Sequence, residues 1–136
     1  MLVSESTQIK APLEKIWDLL SSFKGPEKYF SIISKSVVEG SGQGSKRTCD
    51  VNMGSQMFQI KETLQILDYS NHSLTTSLDD GPIQMRGMKI KFDVKSHEEN
   101  ISNVTISTEV QNPDAAAMAK NFFAMIGQGL KKYHEL

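Results

Sequence analysis

From Ile32 to Val110 the chain consists almost entirely of short alternating segments joined by turn-like links, and one long amphipathic helix follows. The segments read as strands over 32–39, 45–53, 56–67, 73–78, 85–95 and 101–110. They are separated by GSGQG, by Met53-Gly54, by a turn over 68–72, by Asp79-Asp80-Gly81-Pro82 and by the polar run 96–100. Links this short join antiparallel neighbours, because parallel crossovers need far more chain. Alternation is clearest in Phe58, Ile60, Glu62, Leu64 and in Met88, Ile90, Phe92, Val94. Their opposite faces carry Gln59, Lys61, Thr63 and Lys89, Lys91, Asp93, so the sheet has one wet face and one covered face.

What covers it must come from the two ends of the chain. Val3, Glu5, Thr7 and Ile9 share one face of a first strand. Ala11-Pro12 ends that strand, and Leu13, Ile16, Trp17 and Leu20 recur at the spacing of a half-buried helix. Gly25-Pro26 breaks the helix, and residues 26–30 form a second short helical turn that leaves Tyr29 and Phe30 facing whatever lies across. At the other end, Asn112-Pro113-Asp114 combines a cap, a first-position proline and an acidic first turn. Ala115, Met118, Ala119, Phe122, Ile126, Gly129 and Tyr133 follow at helical spacing. The expected fold is α+β: a seven-stranded antiparallel sheet curved around a long C-terminal helix, with two short helices after the first strand. One helix cannot cover such a sheet completely, so a cavity should remain between them.

Composition narrows the class. The 136 residues suffice for one domain, 1–136, and one core. Fifteen Lys and Arg against sixteen Asp and Glu give a net charge of -1, without the basic excess of a nucleic-acid binder or a polybasic membrane-surface protein. The single Cys49 excludes an intramolecular disulfide, and no stretch approaches the length of a membrane span. The start MLVSESTQIK lacks the pattern of a signal peptide, so a cytoplasmic location without stable membrane insertion is expected. His72, His97 and His134 do not converge, so neither a metal nor another cofactor is expected. Gly40 to Arg47 has the glycines of a phosphate loop but joins two strands, so it reads as a hairpin loop.

Glu62 carries the most chemical information. It interrupts the apolar face Phe58, Ile60, Leu64, and a buried carboxylate costs several kcal/mol unless paired or wet. Arg47 is the expected partner. Pairing Asn52 with Ser55 sets Cys49 opposite Phe58 and Arg47 opposite Ile60, diagonal to Glu62, whereas a two-residue slip sets Arg47 and Glu62 directly opposite. The pair can anchor a polar group of a ligand, act as an acid/base pair, or simply satisfy itself. Cys49 has no histidine placed to activate it and reads as an inert buried thiol. Seven methionines suit a pocket for a flexible apolar molecule, although each alone is ordinary core filling.

The element order and several motifs resemble the START-like helix-grip superfamily, which includes pollen-allergen-like proteins, lipid-transfer domains and polyketide cyclase/dehydrase proteins. The likeness runs from Val3 to Tyr133. Its most specific part is STQIKAPLEKIWDLL over 6–20, supported by Gly44-Ser45-Lys46-Arg47 and by Glu62-Thr63-Leu64 with Asp68. The resemblance implies binding or carriage of a small hydrophobic partner, lipid or polyketide-like, by a monomer or homodimer. The alternative is a cyclase/dehydrase-like enzyme with Glu62 and Arg47 as its catalytic candidates. A third reading is an interaction module with a filled core and no ligand. The expected ligand-facing residues are Phe30, Ile33, Arg47, Cys49, Phe58 and Ile60 on the first half of the sheet. Glu62, Thr76, Met88, Ile90, Met118 and Phe122 complete the set.

Overall fold

A computed structural model describes residues 1–135. Strand β1 (Leu2–Ile9) leads into helix α1 (Leu13–Ser21) and a single 3-10 turn at Pro26–Lys28. Strands β2 (Ile33–Glu39), β3 (Lys46–Asn52), β4 (Met57–Asp68), β5 (Ser73–Asp80), β6 (Lys89–Glu98) and β7 (Ile101–Glu109) follow, then helix α2 (Pro113–His134). The sheet order is β1-β7-β6-β5-β4-β3-β2, with every pair antiparallel. The chain therefore starts at one edge and crosses to the other through α1 and the 3-10 turn. It then returns strand by strand until β7 meets β1. This is the helix-grip arrangement expected above.

Local chemistry explains most boundaries. The Asn112 side chain caps α2 by accepting from the Ala115 N–H at 2.8 Å, and Pro113 fills the first helical position. Register shifts at Lys61/Glu62 and Leu64/Ile66 bend β4, which helps the sheet curl toward α2. Trp17, Ile16 and Leu20 bury one face of α1.

β5 takes in Asp79 and Asp80, and β6 runs on to Glu98 through part of the polar run expected as a link. Two further differences have identifiable reasons. β6 begins at Lys89 and not at Met85, because Gly81 and Gly87 adopt positive φ of 152° and 81°. Between them the backbone folds into turns, with the Met85 N–H donating to the Pro82 carbonyl and the Met88 N–H to Met85. Glycine enters that region without a Cβ penalty, so the apparent alternation of 85–88 belongs to a loop. The second helix shrinks to one 3-10 turn, and Tyr29 and Phe30 are buried under α2.

The packing of α2 depends on two glycines. Its buried residues are Ala115, Ala119, Phe123, Ile126, Gly127 and Leu130. Ala115, Ala119 and Ile126 face inward as expected, whereas Met118 and Tyr133 lie off that face, Phe122 sits at its margin and Phe123 is the central aromatic. A methyl group built on Gly129 would overlap the Tyr29 carbonyl oxygen, and one on Gly127 would overlap the Thr7 hydroxyl. Glycine here permits close approach of backbone to backbone, at the cost of helix propensity.

One core group lacks a partner. The Thr76 hydroxyl on β5, 1% exposed, is the one buried side-chain polar atom among the described residues with no hydrogen bond. Leaving such a group unsatisfied costs about 1–3 kcal/mol.

Two outcomes follow for chemical denaturation. Gly129→Ala should lower stability by about 1–3 kcal/mol, because the overlap with a backbone carbonyl outweighs the roughly 1 kcal/mol gain in helix propensity. Gly127→Ala should cost less, since the Thr7 hydroxyl can rotate away, and the reverse ranking would refute this account of the helix seat. Thr76→Val should raise stability by about 1 kcal/mol, and a loss would show that the hydroxyl has a partner in solution.

Candidate functional site

The site is built from β3, β4, the end of α1 and the inner face of α2. Arg47 on β3 pairs directly opposite Glu62 on β4, and Cys49 lies opposite Ile60. This is the two-residue slip from the Asn52–Ser55 pairing. The link is longer than two residues: Asn52 pairs with Met57, and the Met53 N–H donates to the Gln56 carbonyl at 2.9 Å. The Asn52 side chain accepts from the Gly54 N–H at 3.0 Å, which stabilises the longer turn.

Arg47 and Glu62 are 7% and 6% exposed. The guanidinium donates to Glu62 Oε2 from Nε and from Nη2, both at 2.7 Å. Nη1 donates to the Phe23 carbonyl at 3.1 Å, and the guanidinium carbon lies 4.0 Å from the centre of the Phe23 ring. Phe23 has φ of 64°, an unusual conformation for a bulky residue. That backbone turn at the end of α1 delivers both the carbonyl and the ring to Arg47. Sequence reasoning named the Arg47–Glu62 pair but not Phe23, whose main-chain oxygen has no signature in residue type.

Burial opposes the charged guanidinium, yet Glu62 beside it holds Arg47 protonated well above its ordinary value. Burial raises the Tyr29 phenol above its usual range, partly offset by the neighbouring Arg47. Tyr29 therefore stays protonated beside the pair. Burial pushes the Cys49 thiol up to about 12, so it remains a neutral thiol.

Between this polar end and α2 lies a narrow cavity of about 50 Å³. Of the residues expected to face a ligand, Phe30, Ile33, Ile60, Met88, Ile90 and Phe122 line it. Arg47 and Glu62 form its polar wall. Four others lie elsewhere. Cys49 is fully buried within β3, Phe58 sits half-buried nearer the β3–β4 turn, and Thr76 is packed in the core between Leu64 and Ile90. Met118 is one residue, about 100° of helix rotation, away from the inward Ala119, and so lines an outer groove. The ligand-facing set left out Tyr29, Phe92 and Ile126, each expected on a covered or facing surface, and also Leu78, Met85 and Phe123. Alternation on β5 and β6 offered a signal for Leu78 and Phe92. The adjacent pair Phe122-Phe123 offered none for choosing between them. No cluster of metal-ligating side chains exists among the described residues, and no helix there is long and apolar enough to cross a membrane.

Known proteins place this architecture. An abscisic acid receptor of Arabidopsis thaliana is 30% identical over 106 residues, which cover 76% of this chain and 57% of the receptor. The chain thus matches little more than half of that relative's length. An uncharacterized protein of Bacillus thuringiensis superposes with a TM-score of 0.86 at 19% identity, covering 100% of both chains. The Zhui aromatase/cyclase of Streptomyces superposes at 0.81 with 14% identity, covering 99% of this chain and 93% of the other. At such identities these two structures establish the fold alone. The sequence profile of the family described as polyketide cyclase / dehydrase and lipid transport matches residues 1–135. The chain belongs to the polyketide cyclase/dehydrase and lipid transport family.

Proposed function

We propose that the chain binds or carries a small hydrophobic molecule between the sheet and α2, with the molecule's polar end against Arg47, Glu62 and Tyr29. The observation that carries this reading is the buried ion pair in the wall of an otherwise apolar gap. A core needs no such pair: well-packed hydrophobic residues in its place are often equally stable or more so. The family description and the kinship to a receptor named for abscisic acid support the same reading. The narrow gap of about 50 Å³ is far below the roughly 300–1,000 Å³ of ordinary ligand sites, so binding requires the gap to widen.

The alternative is a cyclase/dehydrase-like enzyme on a polyketide-like substrate. One feature favours it: Tyr29, kept protonated by burial, stands beside Arg47 and Glu62 and supplies a proton donor next to an acceptor. In that case Glu62→Gln and Arg47→Met would each abolish turnover.

Native mass spectrometry of gently purified protein, combined with a lipid-extract screen, tests the binding reading. Wild type should retain a small molecule. Glu62→Gln alone should lose about 3–5 kcal/mol of stability, because it leaves Arg47 buried without its counter-charge. The double replacement Arg47→Met/Glu62→Leu should keep the fold and lose the bound molecule. Retention by the double variant would make the pair purely structural. Wild type that captures nothing would overturn the carrier reading and leave the enzyme, which the turnover of the Glu62 and Arg47 variants decides, and the filled-core interaction module.

A further inference from the structure

The cavity and an outer groove share one wall. Phe122 lines the inner cavity and also a groove of about 620 Å³ on the outer flank of α2. Inside, its ring packs edge-on against Phe30, with centroids 5.9 Å apart and planes at 68°. Outside, the groove is formed by Met53, Met118 and Met125 with Asn121 and Ala124. Met53 and Met125 are 43% and 39% exposed, which is costly for large apolar side chains that cover nothing. Met53 stands on the β3–β4 turn, at the far end of the strand pair that carries Arg47 and Glu62. Six residue steps along the extended backbone separate Met53 from Arg47, about 20 Å. A single hydrocarbon chain can span that distance, and a cavity of about 50 Å³ cannot contain it.

The charge at the polar end restricts the head of such a molecule. Arg47 and Glu62 already neutralise one another. A carboxylate head would be repelled by Glu62, and an ammonium head by Arg47. A hydroxyl suits both, since it can donate to the carboxylate and accept from the guanidinium.

We propose that the site takes an uncharged single-chain amphiphile, whose head lies at Arg47–Glu62 and whose tail passes between Phe30 and Phe122 into the methionine groove. The proposal rests on the binding function above and adds the head-group class, the exit and a second apolar subsite. Methionine fits the subsite because its flexible thioether adapts to a chain of variable shape.

Calorimetric titration of the full chain with primary alcohols from butanol to dodecanol, and with the matching carboxylic acids, tests it. Affinity for the alcohols should rise about two- to fourfold per added methylene, and should keep rising beyond the lengths the inner cavity can hold. Each alcohol should bind more tightly than the acid of equal length. Met53→Gln and Met125→Gln change exposed positions and should leave the fold intact. They should weaken dodecanol binding about three- to tenfold and leave butanol binding unchanged. Phe122→Leu should speed dodecanol uptake in stopped flow. An affinity that levels off at the shortest chains, acids binding as well as alcohols, or methionine variants that spare dodecanol would each overturn the proposal while the binding function stands. Methionine variants that change only the sedimentation of the protein would make the groove an interface between copies and overturn it as well. No binding by any alcohol or acid would remove the proposal, and the lipid-extract screen would then decide the binding function separately.

Discussion

A guanidinium and a carboxylate buried together must be complete or they are a liability. Arg47 and Glu62 meet that demand by recruiting a third participant, the end of α1. Phe23 turns its backbone into an unusual conformation and contributes a carbonyl and a ring face to the same guanidinium. The pair therefore does more than link β3 to β4. It fixes where α1 ends and where the chain must turn toward Pro26, so the segment carrying Tyr29 and Phe30 is aimed under α2. The cavity's polar wall and its aromatic closure thus have a common origin.

The second constraint is geometric. A single helix faces a seven-stranded sheet, and the gap between them is set by how closely that helix can sit. Gly127 and Gly129 bring α2 down onto Thr7 of β1 and the carbonyl of Tyr29. Beside this close seating the remaining gap is narrow, about 50 Å³. Ala115 and Ala119 continue the small inward surface toward the start of α2, while Phe122 divides the flank from the interior. The same helix thereby presents a packed face and a methionine-lined flank separated by one aromatic ring.

Much of this was legible in the residues. Strict alternation placed Glu62 inward, Asn112-Pro113 marked the start of α2, and the short links required antiparallel neighbours. The opacity elsewhere has physical causes. The register of β3 on β4 depends on turn length, and Met53-Gly54 suggested a tighter turn than the one that forms. Met85 to Met88 mimics a strand because alternation carries no information about φ, which Gly81 and Gly87 set. Helical periodicity cannot choose between adjacent aromatics, whereas the close seats of Gly127 on Thr7 and of Gly129 on the Tyr29 carbonyl fix the rotation of α2. A partner that is a main-chain oxygen, such as that of Phe23, leaves no trace in composition at all.

The pairing of β1 with β7 has a consequence for how the molecule is made. Leu2 lies opposite Glu109, so the first strand of the sheet in chain order has its neighbour in the last one. During translation β1 must wait, unpaired, for most of the chain to emerge. Strands β2 to β7 can meanwhile assemble as a meander of local hairpins. The closure that adds β1 joins residues distant in sequence and carries the largest loop-closure entropy in the fold. The seat that Thr7 offers to Gly127 exists only after that step. Docking of the long helix is therefore tied to the most sequence-distant pairing of the sheet, and the gap between helix and sheet is among the last parts of the fold to take shape.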